Sequence, residues 1–253
     1  MLPSDGAALL AFKRSNEAPT DARWGKAGVA LDDPLTRLAE LDSFSEVAYE
    51  PEDERAAQAA AEASEALASA VAVDASLRPW HGAMVAILDT GAEEEPVLPV
   101  RVSTQLLLGD QHSAADVDSL LTAGVTHVLN CGETLADLDE AYAEAGIEYV
   151  ALGAEDAVWH DMRQHVPQVE AFLERMRAMD GTCLVHCQAG INRSGFIVAY
   201  QLLVHGRRTV LDVVALLRRE RGAVLWNAGF RVQLLEVARD HNLLGDEPLP
   251  TPA

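Results

Sequence analysis

Basic residues are scarce in this chain. Its 253 residues include 19 lysines and arginines against 40 aspartates and glutamates, which gives a formal net charge of −21 at pH 7. Nucleic-acid backbones and anionic membrane surfaces attract basic protein surfaces, so we expect the chain to bind neither nucleic acid nor membrane. A phosphate-bearing ligand would have to be held by a local site rather than by a basic surface.

Cysteine is also rare, with residues 131, 183 and 187 as its three positions and no CxxC pair. This usage is typical of a reducing compartment, so we expect a cytoplasmic or nuclear location. No segment approaches the ~18 consecutive apolar residues of a membrane-spanning helix, and residues 1–5 lack the charged start of a secretory signal. Apolar residues nevertheless form 49% of the chain, which is enough for a packed core.

The sequence divides into regions of different character. Residues 1–96 are acidic, alanine-rich and irregular, and we predict a partly disordered extension. An Ala/Glu/Ser tract after Pro51 predicts a helix to about Ala72, which we interpret as partly solvated rather than docked on a partner. After a linker at 91–96, residues 97–245 are predicted to form a regular domain, and residues 246–253 a flexible tail.

From residue 97 onward, short buried strands alternate with helices. Strands are predicted at residues 105–109, 126–130, 148–152 and 183–185. Helices are predicted from 113 up to Gly124, from 134 up to Gly146, and at 166–179, 196–204, 209–220 and 228–240. This alternation indicates a three-layer α/β sandwich, in which a central, largely parallel sheet is flanked by helices.

One stretch, VHCQAGINRSG at residues 185–195, combines unusual chemistry between a predicted strand and a predicted buried helix. The first amides of a helix, its positive dipole end and successive loop amides together attract an anion. Gly190 permits a turn that bulkier residues resist, and the planar guanidinium of Arg193 can hold two phosphate oxygens at once. The same field favours the thiolate of Cys187. The residues predicted to bind phosphate are Gln188, Ala189, Gly190, Ile191, Asn192 and Arg193.

Other motifs for phosphate binding or nucleophilic catalysis do not occur in the sequence. It contains neither the GxxxxGK[ST] nucleotide loop nor the GxSxG serine motif. We expect neither a metal nor a cofactor, because four candidate ligands lack the spacing of a zinc site: His160, His165, Cys183 and Cys187. Cys131 and Cys183 are interpreted as small core residues, and the segment 218–221 (Arg-Arg-Glu-Arg) as a solvated helix end.

The motif formed by His186, Cys187, Gly190, Arg193 and Ser194 resembles the signature loop of the cysteine-dependent protein tyrosine phosphatases. It is especially similar to the dual-specificity branch, including the catalytic domains of mitogen-activated protein kinase phosphatases. The similarity covers about residues 97–245, and segments near 107–130 and 228–236 resemble flanking parts of the same domain. Residues 1–96 show no kinase-docking or rhodanese-like domain, so the chain is identified as an atypical member with that family's fold.

This resemblance implies a role for each residue of the loop. Cys187 would be the nucleophile and form a cysteinyl-phosphate intermediate, while Arg193 and the loop amides stabilise the transition state. Ser194 would hydrogen-bond the departing thiolate. His186 would orient the loop and help to keep Cys187 ionised.

The resemblance also implies a general acid about thirty residues upstream of the nucleophile. Asp156 lies 31 residues before Cys187 and is the preferred candidate. Asp161 lies 26 residues before it and more closely resembles a second acidic position of the family, which we interpret as a helix cap or solvated turn.

The resemblance implies a phosphorylated protein as the substrate, with phosphotyrosine and phosphoserine/threonine both accepted. Two alternatives stay open: the same chemistry on a non-protein phosphate, such as an RNA 5′ end or a phosphoglucan, and a weakly active phosphate-binding scaffold. The acidic balance disfavours RNA, and the presence of Cys187, Arg193 and Asp156 disfavours a scaffold. The loop lacks the lysines of phosphoinositide phosphatases, which makes an inositol lipid a poor candidate.

Overall fold

The structure, a computed structural model, describes residues 72–90, 96–133 and 136–248. The predicted helix that follows Pro51, most of the predicted linker and the end of the predicted tail lie outside these ranges. The division of the chain into extension, catalytic domain and tail therefore stays a prediction.

The described residues contain five strands and eight α-helices. The strands are β1 (Val100–Arg101), β2 (Leu106–Gly109), β3 (His127–Asn130), β4 (Glu148–Ala151) and β5 (Cys183–His186). The helices are α1 (Arg78–Leu88), α2 (Gln111–Ala115), α3 (Val117–Thr122), α4 (Ala136–Ala145), α5 (Val166–Ala178), α6 (Arg193–Val204), α7 (Val210–Arg221) and α8 (Ala228–Asp240). Short 3-10 helices at Ala75–Leu77 and Met162–His165 precede α1 and α5. No helix within the described ranges is long and apolar enough to cross a membrane.

The five strands form one sheet in the order β1-β2-β5-β3-β4. β5 lies at the centre, parallel to β2 and β3, and β4 continues the parallel arrangement beyond β3. The predicted largely parallel sheet is confirmed, and each of the four predicted strands is present. β1, which pairs antiparallel with β2 at the edge, was not predicted because its two residues are too few to show a periodicity.

Helices cover both faces of the sheet. Successive side chains of a strand point to opposite faces, so each buried strand contributes to two cores. On one face, Leu107, Val128 and Leu184 pack with residues of α2, α3 and α4. On the other face, Leu108 and Val185 belong to a larger core with residues of α1, α5, α6, α7 and α8. The predicted three-layer sandwich is confirmed.

The helix predicted from residue 113 up to Gly124 is instead two short helices. Asp110 caps α2, since its side chain accepts a hydrogen bond from the amide of Ser113. Asp116 then leaves the helical conformation and caps α3 through the amide of Ser119. Aspartate at this position offers the backbone a side-chain acceptor, which favours a new helix start over continuation. Gly124 follows α3 with a φ of +76°, as expected for a helix end.

Helix α1 was not predicted, and it belongs to the larger core. Leu77, Met84 and Leu88 are buried there, and α1 packs against α7 and α8. The side chain of Asp74 accepts a hydrogen bond from the amide of Ser76 and so caps the 3-10 turn that precedes the helix. The packed unit therefore includes residues on the N-terminal side of residue 97, where the sequence predicted the regular domain to begin.

Candidate active site

The loop of residues 187–192 joins the central strand β5 to helix α6 at the carboxyl end of the sheet. Ligands of open α/β sheets bind outside this end of the strands. Cys187 follows β5 directly and is buried, and its Sγ lies 3.2 Å from Oγ of Ser194 in the first turn of α6. The structure therefore brings together the thiol and the hydroxyl that the sequence selected.

The carbonyl oxygens of the loop are held by donors from outside the loop. The amide of Gln111 donates to the oxygen of Gln188 at 3.2 Å, and the amide of Leu225 donates to the oxygen of Ile191 at 3.0 Å. The amides of residues 188–193 have no acceptor among the described residues. Because donors from outside the loop hold these carbonyls while the loop amides are unpaired, the amides are available to donate hydrogen bonds to an anion.

Gly190 is the position at which the loop needs glycine. Its φ is +66°, in the left-handed region that other residues rarely adopt. A Cβ atom there would lie 2.6 Å from the carbonyl oxygen of Gly109 at the end of β2. The loop therefore packs against the neighbouring strand too closely for any side chain.

Arg221, the last residue of α7, holds two further loop carbonyls. Its Nε donates to the oxygen of Gly190 at 3.0 Å and its Nη2 to the oxygen of Ala189 at 2.9 Å. Arg221 is only 5% exposed, so its interpretation as part of a solvated helix end was wrong. The signal that could have revealed it is the buried stripe of α7, formed by Val210, Val213, Val214, Leu217 and Arg221.

Arg193 begins α6 and reaches over the loop. Its Nη1 donates to the carbonyl oxygen of Ala154 at 3.3 Å, while its buried Nε has no hydrogen-bond partner among the described residues. A Cβ atom at Gly132 would lie 3.2 Å from Nη1, so glycine there leaves room for the guanidinium. An unsatisfied buried donor is costly, and a phosphate oxygen is the kind of acceptor that it needs.

Asp156 is held at the mouth of the loop by two asparagine side chains. Nδ2 of Asn192 donates to Oδ2, and Nδ2 of Asn227 donates to Oδ1, both at 3.1 Å. The two asparagines are themselves joined, since the amide of Asn227 donates to Oδ1 of Asn192 at 3.0 Å. Sequence reasoning did not select Asn227, because only the fold brings its segment to this loop.

Asp161 has a different environment from Asp156. Its carboxylate accepts two hydrogen bonds from the guanidinium of Arg163, at 2.8 and 3.1 Å, and one from the Arg163 amide. These contacts, above all those of the side chain, lower the pKa of Asp161, and they cap the turn that precedes α5. Asp161 does not line the cavity above Cys187, whereas Asp156 does.

His186 and the two other cysteines are buried in the sheet and the turn that follows it. Burial lowers the pKa of His186 to about 4, so its imidazole is neutral at pH 7. Burial also raises the pKa values of the thiols of Cys131 and Cys183, as expected for small core residues. Neither ring nitrogen of His186 has a hydrogen-bond partner among the described residues.

A cavity of about 430 Å³ opens above Cys187. Its lining includes three residues that the sequence did not select: Gln111, Glu133 and Glu155. His160 and His165, which were considered as metal ligands, instead stack on each other outside this cavity. The described residues contain no cluster of three or more side chains placed to hold a metal ion.

Comparison with known proteins agrees with this geometry. Residues 106–240 match the family model described as the dual specificity phosphatase catalytic domain. Dual specificity protein phosphatase 26 from Bos taurus is 35% identical over 136 residues, which are 53% of this chain and 64% of that protein. MAP kinase phosphatase with leucine-rich repeats protein 3 from Dictyostelium discoideum is 32% identical over 139 residues, 55% of this chain and 16% of that protein.

The likeness extends to solved structures. The crystal structure of human DUSP28 superposes with a TM-score of 0.50 at 25% identity, over 58% of this chain and 98% of that one. The family match spans more than half of the chain and includes the loop of residues 187–192, with Arg193 and Ser194 after it. The chain therefore belongs to the dual-specificity phosphatase family.

Proposed function

We propose that this protein hydrolyses phosphotyrosine and phosphoserine/threonine in proteins through a cysteinyl-phosphate intermediate. The observation that carries the proposal is the loop around Cys187, in which the six amides of residues 188–193 have no acceptor within the described part of the chain while outside donors occupy the carbonyls of residues 188–191. Such a loop is organised for a phosphate group before the substrate arrives, and prearranged donors are worth most in the transition state.

In the first step, the loop amides and the guanidinium of Arg193 hold the non-bridging oxygens of the phosphate. Sγ of Cys187 attacks phosphorus as the thiolate, so that an S–P bond forms while the bond from phosphorus to the ester oxygen breaks. Asp156 donates its proton to the leaving oxygen, for which its place at the mouth of the loop is suited. The products of this step are the dephosphorylated protein and the cysteinyl phosphate.

In the second step, water attacks the phosphorus atom of the cysteinyl phosphate. The Asp156 carboxylate takes a proton from this water, the S–P bond breaks, and inorganic phosphate leaves. Oγ of Ser194, which lies 3.2 Å from Sγ, donates a hydrogen bond to the departing thiolate. The enzyme returns to its starting protonation state.

His186 has a positioning role in this proposal. Because burial lowers the pKa of its imidazole to about 4, His186 carries no positive charge at neutral pH. Any help that it gives to the Cys187 thiolate must come from orientation of the loop rather than from charge.

The proposal is tested by hydrolysis of p-nitrophenyl phosphate and of phosphotyrosine and phosphoserine peptides. We expect turnover that vanadate inhibits and that excess EDTA leaves unchanged, since no step uses a metal ion. A mass increase of one phosphoryl group on the Cys187 peptide, trapped by rapid acid quench, would identify the intermediate. Activity that depends on added Mg²⁺, or phosphate trapped on another residue, would overturn the mechanism.

The reduced thiol that this mechanism needs also supports a location in the cytoplasm or nucleus, which we propose for the chain. Imaging of the full chain with a small fluorescent tag tests this assignment. A signal confined to the secretory pathway would contradict it.

A further inference from the structure

The cavity above Cys187 is lined by more negative than positive groups. With Asp156 protonated, as the proposed general acid is when substrate is bound, the carboxylates of Glu133 and Glu155 lie with the guanidinium of Arg193 in the lining formed by the described residues. Glu133 and Glu155 are exposed and lie on the turns that follow β3 and β4. Once a phosphate group has paired with Arg193, the rest of this lining presents a net negative charge to the residues that flank the phosphorylated side chain.

A second cavity, of about 620 Å³, adjoins the first and shares Gln111 and Gln188 with it. Its lining adds the carboxylate of Asp110, and its one guanidinium, Arg221, donates to loop carbonyls. Among the described residues, no other lysine or arginine lines either cavity. A second phosphate group on the same peptide would therefore find no uncommitted lysine or arginine in the described linings, where His112 is the one further basic side chain of the second cavity.

Two exposed tryptophans lie on segments that contact Asp156. Trp159 follows it by three residues, and Trp226 immediately precedes Asn227, whose side chain donates to the Asp156 carboxylate. Each tryptophan is 62% exposed, which is uncommon for the largest aromatic side chain. The face of an indole ring attracts arginine and lysine more strongly than other aromatic rings do. Exposed indole rings on the segments that hold Asp156 can therefore stack against arginine or lysine side chains of a bound peptide.

We propose that the site selects phosphorylated protein segments whose neighbouring residues are arginine or lysine, and that it discriminates against acidic or doubly phosphorylated segments. The inference rests on the proposed phosphatase function and names its substrate class. Glu133 and Glu155 attract the arginine or lysine side chains that neighbour the phosphorylated residue, and the rings of Trp159 and Trp226 pack against those side chains.

The primary experiment uses three phosphotyrosine peptides that differ in the residues on both sides of the phosphotyrosine: arginine, alanine or aspartate. At low ionic strength, kcat/KM should decrease in that order, with about a tenfold ratio between the arginine and aspartate peptides. Raising the ionic strength should bring the three values together, because exposed charges are screened. A peptide with a second phosphorylated residue near the first should behave like the aspartate peptide.

Variants then locate the preference on the structure. Glu133→Gln and Glu155→Gln should each lower the arginine-to-aspartate ratio roughly two- to fivefold. Glu174→Gln, on the exposed face of α5 and outside both cavities, is the matched control and should leave the ratio unchanged. Trp159→Ala and Trp226→Ala should slow the arginine peptide roughly two- to fivefold and affect the aspartate peptide less.

Different results would contradict the substrate preference and the proposed phosphatase function. If the wild type hydrolyses p-nitrophenyl phosphate but prefers the aspartate peptide at low salt, the inference is wrong and the function stands. The inference also fails if Glu174→Gln changes the ratio as much as the cavity variants do. If the wild type hydrolyses neither the peptides nor p-nitrophenyl phosphate, the proposed function fails and the substrate class fails with it.

Discussion

Strands β3 and β5 lie side by side in the sheet and end in the same way. Asn130 and His186 are opposite each other in the parallel register, and each is followed by a buried cysteine, Cys131 or Cys187. The two ends are joined, since the amide of Cys131 donates to the carbonyl oxygen of His186 at 2.8 Å. In position and burial, the two thiols are close to equivalent.

The two strand ends differ in the hydrogen bonding of the segment that follows each cysteine. After Cys131, the side chain of Asn130 closes the turn: the amide of Gly132 donates to Oδ1 of Asn130, and Nδ2 of Asn130 donates to the carbonyl of Glu133. After Cys187, the loop leaves its amides open and enters the first turn of α6. The comparison indicates that the reactivity of a cysteine at a strand end depends on the donors that the next six residues leave unpaired.

The strongest test of this comparison exchanges sulfur for oxygen at each end. Cys187→Ser should lower kcat by a factor on the order of 10⁴ or more, because serine lacks the thiolate nucleophile. Cys131→Ser should keep kcat within a few-fold and lower the free energy of unfolding by about 1–3 kcal/mol, since it buries a hydroxyl. Steady-state kinetics and urea denaturation measure the two effects. Comparable losses of kcat in both variants would remove the distinction between the two ends.

The second test concerns the acid that serves the β5 loop. Asp156→Asn should slow a phosphoserine or alkyl phosphate substrate by ~10²–10⁴, and an aryl phosphate with a good leaving group much less. Asp161→Asn is the control and should lower stability by no more than about 1 kcal/mol, because asparagine can still cap the turn and only the exposed ion pair with Arg163 is lost. If Asp161→Asn produced the dependence on leaving group, the two roles would have to be exchanged.

The third test uses the neutral imidazole of His186. Its pKa falls from the ordinary 6.5 to about 4 on folding, so the unfolded state binds more protons below pH 6.5. Stability should therefore fall as the pH drops through this interval, with a contribution from His186 of about 3 kcal/mol between pH 7 and pH 4. His186→Asn puts at the end of β5 the residue type that ends β3. Between pH 7 and pH 4, the free energy of unfolding of this variant should fall by about 3 kcal/mol less than that of the wild type. Equal acid sensitivity of the two proteins, measured by urea denaturation, would mean that His186 is protonated in the folded state.

The sequence predicted those parts of the molecule that depend on local pattern. Helix α8 was predicted at residues 228–240 and begins and ends there, and β4 was predicted to end one residue later than it does. The structure also brings Cys187, Arg193 and Asp156 into one cavity, although their roles stay predictions.

Features that depend on contacts between distant segments were missed. Asn227 contacts Asp156 from 71 residues away, and Arg221 contacts Gly190 from 31 residues away. In both cases the side chain alone suggests a surface residue, and only the packing of α7 and α8 against α6 gives it a partner. The acidic side chain of Asp116 was likewise ordinary in sequence, yet as the cap of α3 it divides one predicted helix into two.

The last and smallest expected effect concerns Arg221, whose guanidinium holds two carbonyls of the β5 loop. Arg221→Met keeps most of the volume of the side chain in the buried stripe of α7 but leaves the carbonyls of Ala189 and Gly190 without their donors. Two carbonyls freed in this way can turn toward the cavity, where they would repel phosphate. We expect kcat/KM for p-nitrophenyl phosphate to fall about tenfold, with a loss of about 1–3 kcal/mol in stability.

Arg219→Met is the matched control, because Arg219 lies on the same turn of α7 and pairs only with the exposed Glu220 among the described residues. It should change neither quantity appreciably. Arg221→Lys tests whether the positive charge alone is sufficient. Because the lysine ammonium group can replace only one of the two hydrogen bonds, kcat/KM of this variant should lie between those of the wild type and Arg221→Met. If Arg221→Met were destabilised but kept the wild-type kcat/KM, the loop would hold its shape without the guanidinium of Arg221. The contrast between the two strand ends would then rest on the open amides and on Arg193 alone.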